Sequence, residues 1–343
     1  MHCIAMTTAW KSLFETGRIA RAALREQQEC IREIHVRLAA HLATPAGTPA
    51  AYEVRPGPLP EANLNWRKNI FSTLFQSVYH LMDVPAPRRR LYGKLIHLFR
   101  IWVTSADNLL DCEDKEVVQM IMPGSARVMR QVVAVMAADR VLAEILNDAV
   151  AAGTLSAAQR DELARESLRR LLPSAAQEAT EEGGIAVRPP PEEVLGVIHR
   201  LKTGLLFNVA FVGPEIVEPL ACARTARLRE GLMDFGLGCQ VLDDVRDMAR
   251  DLLEKRHNYV LSVLAHQAPD RLKELAARAH SVSDRLYLDV PQYALPAARR
   301  GFDLLVSGLR TLGEAGLGYD GAQAESMARA MFPVLDLEGL PIA

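Results

Sequence analysis

The sequence predicts an all-α protein, and two observations carry this prediction. Apolar residues recur at steps of three and four along most of the chain, as at Leu95, Leu98, Phe99 and Trp102, and this is the period of an amphipathic helix. Alternating runs of β-branched residues, which would indicate strands, hardly occur. At an average length of about 11 to 12 residues, ten or more helices would fill the chain.

Segments rich in proline and glycine separate the predicted helices. The run Pro-Pro-Pro at residues 189–191 predicts a surface loop, and a new helix is expected to begin near Glu192. No internal repeat or low-complexity tract occurs between these segments. The separating segments are residues 44–50, 54–60, 84–87, 122–124, 181–193 and 289–296.

The length and composition predict one large domain. The chain has 343 residues, of which 49% are hydrophobic, enough to bury a sizeable core. We predict a single domain over residues 1–343. Its motif-bearing core covers about residues 60–260, with N-terminal helices and a loop in residues 1–59 and C-terminal helices in residues 262–343.

Charge and cysteine content exclude several classes of protein. Forty basic and 42 acidic residues give a formal net charge of -2, so no global field favours nucleic acid or an anionic membrane, and any phosphate site must be local. The N-terminus lacks the pattern of a secretion signal, and no stretch of about 18 uncharged apolar residues occurs. We therefore expect a cytoplasmic protein without membrane insertion. The cysteines lack Cys-x-x-Cys pairing and are expected to be thiols: Cys3, Cys30, Cys112, Cys222 and Cys239.

Two acidic segments stand out against this apolar background. The stretch FGLGCQVLDDVRDM turns acidic with no turn residue between its parts, and helical spacing places Asp243, Asp244 and Asp247 on one face. Another apolar segment ends in Asp107 and Asp111. Like charges at this spacing require basic partners, water or a metal. Two such faces opposite each other would suit Mg²⁺, which prefers oxygen ligands; the alternative is a solvated acidic surface in which neighbouring arginines neutralise the aspartates.

The stretch FGLGCQVLDDVRDM resembles the second aspartate-rich motif of trans-type isoprenyl diphosphate synthases. That motif reads Gly-x-x-x-Gln-x-x-Asp-Asp-x-x-Asp. The segment RDMARDLLEKR that follows is also similar to squalene and phytoene synthases, which belong to the same class I isoprenoid synthase group. The matching residues are Gly236, Gln240, Asp243, Asp244 and Asp247.

Other segments extend the resemblance over about residues 60–260. The first aspartate-rich motif, DDxxD, is matched by Asp107 and Asp111, with Asn108 where a second aspartate is usual. KTGLL resembles the Lys-Thr pair of these enzymes and implies that Lys202 contacts a diphosphate. Lys255 stands where another such lysine is expected.

The resemblance implies a fold, a cofactor and a reaction. The fold is the single helical bundle of class I terpenoid synthases, with a central active-site cavity. The cofactor is Mg²⁺, three ions per site, and the ionisation of an allylic prenyl diphosphate to a carbocation releases diphosphate. The metal ligands implied are Asp107, Asp111, Asp243, Asp244 and Asp247, of which the first four, with Lys202, are the predicted catalytic residues.

Further residues are candidates for contact with the substrate. Aromatic rings stabilise a nearby cation through their π-faces, although each ring singly is also an ordinary core residue. The aromatic candidates for the cavity are Phe71, Phe75, Phe99, Trp102, Phe207 and Phe211. The polar candidates for the diphosphates are Lys68, Arg100, Lys202, Gln240, Lys255 and Arg256.

The acceptor of the cation distinguishes two kinds of enzyme. Chain elongation needs a second diphosphate site, for which this family uses Gly-Gly-Lys-Arg-x-Arg; here WRKNIFS keeps Lys68 but has Phe71 in place of an arginine. Arg100 replaces the usual histidine, and QMIMP keeps Pro123 without its two arginines. Because fewer cations bind isopentenyl diphosphate more weakly, these departures favour a terpene synthase that cyclises its substrate.

Two alternatives stay open. A prenyltransferase or a head-to-head condensing enzyme with a rebuilt acceptor site is the first, because bacterial terpene cyclases more often carry an Asn/Ser/Glu triad in place of the second aspartate-rich motif. A non-catalytic homologue is the second, because Asn108 and the missing arginines permit it. The resemblance also implies a homodimer.

Overall fold

A computed structural model describes residues 8–111, 113–219, 223–278, 285–337 and 340. The structure is 76% helical, which confirms the predicted all-α class. Two short strands, β1 (Arg55–Pro56) and β2 (Met120–Ile121), pair antiparallel. Among the described residues, no single helix is long and apolar enough to cross a bilayer, and one bent pair of helical segments within residues 191–217 meets the requirement only jointly.

The helices are numbered here in chain order. The first seven are α1 (Thr8–Thr16), α2 (Arg18–His41), α3 (Ile70–Leu81), α4 (Ala86–Leu110), α5 (Arg127–Ala151), α6 (Ala157–Arg169) and α7 (Leu172–Ala179). Three short helices follow: α8 (Pro191–Glu193), α9 (Leu205–Asn208) and α10 (Val212–Val217). The last six are α11 (Ala223–Arg246), α12 (Met248–Leu253), α13 (Tyr259–Gln267), α14 (Pro269–Ala277), α15 (Pro291–Leu312) and α16 (Gly321–Val334).

The chain divides into two compact units. The N-terminal unit comprises Phe14–Leu168 and Val212–Leu220. The C-terminal unit comprises Met1–Leu13, Arg169–Phe211 and Ala221–Ala343. Each unit carries one of the two acidic segments. The single domain over the whole chain stays a prediction.

In the N-terminal unit, α2, α3 and α4 pack through apolar faces. Their fully buried side chains include Ile34, Leu74, Val78 and Leu98, which follow the helical spacing seen in the sequence. Cys30 of α2 is a buried free thiol, and burial raises its pKa to about 12. The thiol therefore stays protonated and behaves as a small core side chain.

A partly buried ion-pair network also joins these three helices. Glu26 of α2 accepts hydrogen bonds from Gln76 Nε2 at 2.8 Å, His80 Nε2 at 3.1 Å and Arg89 Nη2 at 2.7 Å. Burial opposes the charge of Glu26, but the hydrogen bonds from His80, Arg89 and Gln76 outweigh it and hold the pKa of Glu26 well below its usual range. The carboxylate is therefore ionised and fixes the three helices together.

In the C-terminal unit, α11 and α15 cross with their backbones almost touching. Glycines seven residues apart on each helix form the crossing: Gly231 and Gly238 on α11, Gly301 and Gly308 on α15. A Cβ on Gly308 would lie 2.5 Å from the Gly231 carbonyl oxygen, and one on Gly238 would lie 2.8 Å from the Gly301 oxygen. Any larger residue would separate the helices, so the four glycines fix the position of α11 and of its acidic end.

The segment before α9 departs from regular α-helix. The new helix begins at Pro191, next to the predicted start at Glu192, and then continues through π-helical turns at Val194–Ile198 and Arg200–Gly204. Such wide turns are rare and frequently occur at functional sites. The second of these turns, Arg200–Gly204, carries Lys202.

Candidate functional site

In the C-terminal unit, two arginines neutralise part of the acidic segment of α11. Arg246 Nη2 lies 2.5 Å from Asp243 Oδ1, and its Nε and Nη2 donate to the two Asp247 oxygens at 2.8 Å each. Arg250 Nη2 donates to Asp247 Oδ2 at 2.6 Å. The side chains of Asp243 and Asp247 are 36% and 14% exposed. Arg246 therefore pairs with both Asp243 and Asp247, and Arg250 pairs with Asp247.

Asp244, by contrast, points into the protein. It is 2% exposed, its Oδ1 accepts from Gln240 Nε2 at 3.1 Å, and its Oδ2 accepts from the Tyr259 backbone N–H at 2.5 Å. His199 Nε2 lies 3.0 Å from Oδ2, an ion pair when the imidazole is protonated. This carboxylate thus ties α11 to the π-helical segment and to the start of α13.

Asp251 of α12 belongs to the same buried group. Asn258 Nδ2 donates to Asp251 Oδ2 at 2.8 Å and to the Asp244 carbonyl oxygen at 2.6 Å. Burial, and after it the charge of Asp244, raises the pKa of Asp251 well above its usual range. The end of α11, α12 and the start of α13 are therefore joined through one asparagine.

The expectation that the aspartates share one face is met only in part. Adjacent residues of a helix point about 100° apart, so Asp243 and Asp244 face different surroundings. The helix also ends at Arg246, and Asp247 stands at the N-cap position of α12 with its carboxylate paired to arginines. The aspartates divide into an arginine-paired set and a buried set, and their roles as metal ligands stay predictions.

The predicted Lys-Thr pair lies beside this acidic segment. Thr203 Oγ1 donates to Gln240 Oε1, the same side chain that donates to Asp244. The negative charge of Asp244 favours the protonated form of Lys202. Two motifs about 40 residues apart in the sequence are thus joined at one glutamine side chain.

Lys202 and Arg256 share one carboxylate that the sequence did not single out. Glu178 of α7 places Oε1 2.9 Å from Lys202 Nζ and Oε2 3.8 Å from Arg256 Nη1. Burial opposes the charge of Lys202, but Glu178, Glu181 and Asp244 outweigh it and raise the pKa of Lys202. The lysine is therefore fully protonated at neutral pH.

Lys255 differs from Arg256 in its surroundings. It is exposed and has a positive φ of 55°. Its carbonyl oxygen accepts from the Ile185 backbone N–H at 2.8 Å, and its side chain packs against Gly184. Arg188 Nη1 donates to the Arg256 carbonyl oxygen at 2.6 Å. The segment between α7 and α8 thus organises the loop that carries both predicted diphosphate contacts.

Sequence reasoning missed the residues of this segment that act on the site. Glu178, Glu181 and Arg188 lie in or beside a stretch interpreted only as a linker. Glu181 is fully buried and accepts from the His257 backbone N–H at 2.8 Å. Its position 21 residues before Lys202 carries no periodic signal. The acidic run at residues 178–182 was the available hint.

In the N-terminal unit, α4 ends at the first acidic segment. Asp111 caps the helix, its N–H donating to the Asp107 carbonyl oxygen at 2.8 Å. Asn108 is fully buried: its Nδ2 donates to the Lys115 carbonyl oxygen at 2.8 Å, and its Oδ1 accepts from the Lys115 N–H at 3.0 Å. The amide therefore has a structural task that a carboxylate cannot perform. Asp107 and Asp111 keep their predicted roles as predictions.

The predicted acceptor cations of this unit lie along one hydrogen-bond chain. Lys68 Nζ donates to Asn63 Oδ1 at 2.9 Å, Asn69 Nδ2 donates to the Asn63 carbonyl oxygen at 2.8 Å, and Arg100 Nη1 donates to Asn69 Oδ1 at 3.1 Å. Burial lowers the pKa of Arg100. Burial and then the Arg100 charge lower the pKa of His97 to about 3, so this histidine is neutral. The structure joins Lys68 and Arg100 through two asparagines.

The aromatic candidates occupy different surroundings. Phe71 is 37% exposed, whereas Phe75, Phe99 and Phe207 are buried. Phe207 packs on Gly236, where a Cβ would lie 2.5 Å from its ring, which gives a steric reason for the glycine of the motif. Their contact with a prenyl chain stays a prediction.

Cys239 is a buried free thiol, as predicted, and Cys3, Cys112 and Cys222 lie outside the described residues. Within the described ranges, no group of three or more His, Cys, Asp and Glu side chains is arranged to hold a metal ion. The oxygen donors of Asp243 and Asp247 nevertheless suit a hard cation in their chemistry.

Comparison with known proteins gives a clear structural result. No protein-family model matches the sequence, and a search of curated proteins finds no match. Solved structures do match. A geranylgeranyl pyrophosphate synthase from Lactobacillus brevis superposes with a TM-score of 0.59 at 15% identity, covering 94% of this chain and 99% of that one. A geranylgeranyl pyrophosphate synthetase from Pyrococcus horikoshii gives 0.58 at 18% identity, covering 95% and 98%.

A third similar structure was solved with ligands. A polyprenyl synthase from Caulobacter crescentus, complexed with calcium and isoprenyl diphosphate, superposes with a TM-score of 0.57 at 14% identity, covering 93% of this chain and 98% of that one. The chain therefore has the all-α fold of the trans-isoprenyl diphosphate synthases. At these identities the likeness concerns the fold.

Proposed function

We propose that this protein is a Mg²⁺-dependent prenyltransferase that joins the prenyl group of an allylic diphosphate to an acceptor and releases diphosphate. One observation carries the proposal: Gln240 contacts both Thr203 of the Lys-Thr pair and Asp244 of the acidic segment. The segment proposed for anion contact and the segment proposed for metal binding share this glutamine, which supports a common site for the two tasks.

The residues of the C-terminal unit have distinct tasks in this proposal. Lys202 and Arg256 contact the diphosphate. Asp243 and Asp247 hold Mg²⁺, which when bound stabilises the negative charge of the leaving diphosphate. Asp244 keeps the end of α11 in place, because its oxygens already accept hydrogen bonds inside the protein. In the N-terminal unit, Asp107 and Asp111 are the proposed metal ligands.

Two observations favour a transferase over the cyclase that the sequence suggested first. The similar solved structures reported above are prenyl and polyprenyl diphosphate synthases. In addition, Lys68 and Arg100 are held along one hydrogen-bond chain, which supports a second anion-binding group. Phe71 still stands where an arginine is usual, so the acceptor site is proposed to be non-standard. The homodimer and the cytoplasmic location rest on the resemblance and on composition.

The proposal is tested by product analysis. Purified protein with Mg²⁺ is incubated with C10, C15 and C20 allylic diphosphates, with and without isopentenyl diphosphate, and released diphosphate and organic products are measured. A longer prenyl diphosphate that forms only with isopentenyl diphosphate supports the transferase. A hydrocarbon or alcohol formed without it would support the cyclase, and no released diphosphate from any substrate would contradict both.

A variant pair tests the assigned site. Lys202→Met is expected to slow diphosphate release about 100-fold, because it removes one charged contact to the leaving group. The control is Arg200→Met two residues away, since Arg200 is exposed and has no task in the proposal. Equal rates for the two variants would contradict the assignment of Lys202.

A further inference from the structure

Glu178 on α7 already forms ion pairs with Lys202 and Arg256, the two cations that the proposed function assigns to diphosphate. The Glu178 side chain is 18% exposed and lies 2.9 Å from Lys202 Nζ and 3.8 Å from Arg256 Nη1. Ser174, one turn earlier, donates its Oγ to the Lys202 carbonyl oxygen at 3.0 Å. This second contact fixes the α7 backbone against the lysine, so the meeting of Glu178 with Lys202 is built into the fold.

Three carboxylates near Lys202 already balance its positive charge. Glu178, Glu181 and Asp244 each favour its protonated form. Glu181 is fully buried and held by the His257 N–H, and Asp244 is held by Gln240 and the Tyr259 N–H. Glu178 is the one of these three carboxylates that bridges Lys202 and Arg256, and it keeps some contact with solvent.

We propose that Glu178 is a resident counter-ion that a diphosphate must displace, so that it weakens diphosphate binding and favours its release. This inference rests on the proposed function, because it takes Lys202 and Arg256 as diphosphate contacts. A carboxylate and a diphosphate at this place would compete for the Lys202 ammonium, and Arg256, which also lies 3.4 Å from Glu254, would attract both anions. They also repel each other across a partly buried site, where charges are only weakly screened.

The competing explanation makes the opposite prediction. If Glu178 only positions Lys202, its removal would loosen the lysine and weaken diphosphate binding. If Glu178 competes with the diphosphate, neutralising it without changing its shape would strengthen binding. The sign of the change in affinity therefore decides between the two.

The experiment is titration calorimetry with inorganic pyrophosphate in the presence of Mg²⁺. Glu178→Gln keeps the side-chain shape and removes the charge, and we expect it to lower the Kd for pyrophosphate about tenfold, as an order-of-magnitude Coulomb effect. Glu178→Asp keeps the charge on a shorter side chain, and we expect it to change the Kd for pyrophosphate less than Glu178→Gln does. The matched control is Glu182→Gln, because Glu182 is exposed on the same segment; its Kd is expected to match the wild type.

Several outcomes would overturn the inference. These are an unchanged or weaker affinity in Glu178→Gln, an equal gain in Glu182→Gln, or no detectable pyrophosphate binding by wild type and variant alike. If Glu178→Gln does not fold, as judged by thermal unfolding, Glu178→Ala takes its place with the same expected sign. Tighter pyrophosphate binding without turnover of any allylic diphosphate would contradict the prenyl transfer of the proposed function. It would keep the diphosphate contacts of Lys202 and Arg256, on which this inference depends.

Discussion

Replacing Asn108 by aspartate would restore the DDxxD sequence of the first motif, yet we expect it to damage the protein. Asn108 is fully buried and pairs with both backbone groups of Lys115. An ionised carboxylate can accept from the Lys115 N–H, but it cannot donate to the Lys115 carbonyl oxygen. The substitution therefore places two acceptors against each other, or forces the new carboxyl to keep its proton.

The magnitude follows from these two options. Facing the Lys115 carbonyl oxygen with a buried carboxylate that cannot donate to it costs about 1–3 kcal/mol. Keeping a carboxyl with a usual pKa of about 4 protonated at pH 7 costs up to about 4 kcal/mol, at roughly 1.4 kcal/mol for each pH unit. We expect Asn108→Asp to lose about 2–4 kcal/mol of unfolding free energy at pH 7.

The loss must depend on pH with a definite sign. Burial beside the Lys115 carbonyl raises the pKa of the introduced carboxyl in the folded state, so the folded protein holds its proton more tightly than the unfolded chain. Below the unfolded pKa of about 4, the Asn108→Asp variant therefore keeps nearly all of the wild-type stability. Its unfolding free energy then falls as the pH rises towards the folded pKa of the new carboxyl.

Urea unfolding at pH 5 and pH 8, followed by circular dichroism, measures this effect. The control is Asn147→Asp, because Asn147 is exposed and its Oδ1 only accepts from Arg160 Nη1 at 3.4 Å; its effect is expected to stay within about 0.5 kcal/mol. If Asn108→Asp is as stable as the wild type at pH 8, the Asn108 amide is not a required donor and the reasoning is wrong.

Two further predictions concern the packing and the ion pairs. Gly308→Ala would place a Cβ 2.5 Å from the Gly231 oxygen and 2.6 Å from the Phe235 nitrogen, so we expect a loss of about 1–3 kcal/mol, measured as a lower urea midpoint. Glu26→Gln is expected to lose about 1–3 kcal/mol at pH 7, since it removes the partly buried charged partner of Arg89 and His80. Because hydrogen bonds lower the folded pKa of Glu26, its contribution is present above the unfolded value of 4.5 and is lost as the pH falls through the folded pKa. The difference between Glu26→Gln and wild type should therefore shrink between pH 7 and pH 3.

Each of these predictions has a matched control. Gly196→Ala adds a Cβ with no atom within 4 Å, so its stability should match or slightly exceed that of the wild type. Glu29→Gln removes a carboxylate that is 56% exposed and paired with Arg90, and its effect should stay below about 1 kcal/mol. If a control loses as much stability as its partner, the packing or ion-pair explanation fails.

Much of the fold could be predicted because the signals are local. The three- and four-residue spacing along α4 and the prolines before α8 depend on chain neighbours alone, and both predicted elements are present. The glycines at 231, 238, 301 and 308 were also in the sequence, with a spacing of seven. That spacing does not say which helix the glycines meet, so the crossing of α11 and α15 needed the structure.

The candidate site shows the same division. The resemblance identified Lys202 and Gln240, and the structure joins their segments. The resemblance gave no reason for Asn108, which departs from the motif; the structure shows its amide hydrogen-bonded to the Lys115 backbone. It also gave no hint of Glu178, which lies 24 residues before Lys202.

The sequence by itself determined that this chain is helical and which residues form its aspartate and lysine motifs, because periodicity and motif spacing are properties of neighbouring residues. Only the tertiary structure decided which partner each charge has. Asp243 meets Arg246 three residues away, whereas Asp244 meets Tyr259 and Glu178 meets Lys202 across turns of the chain. Charge interactions depend on distance and burial, and for residues far apart in the sequence both are set by how the helices pack.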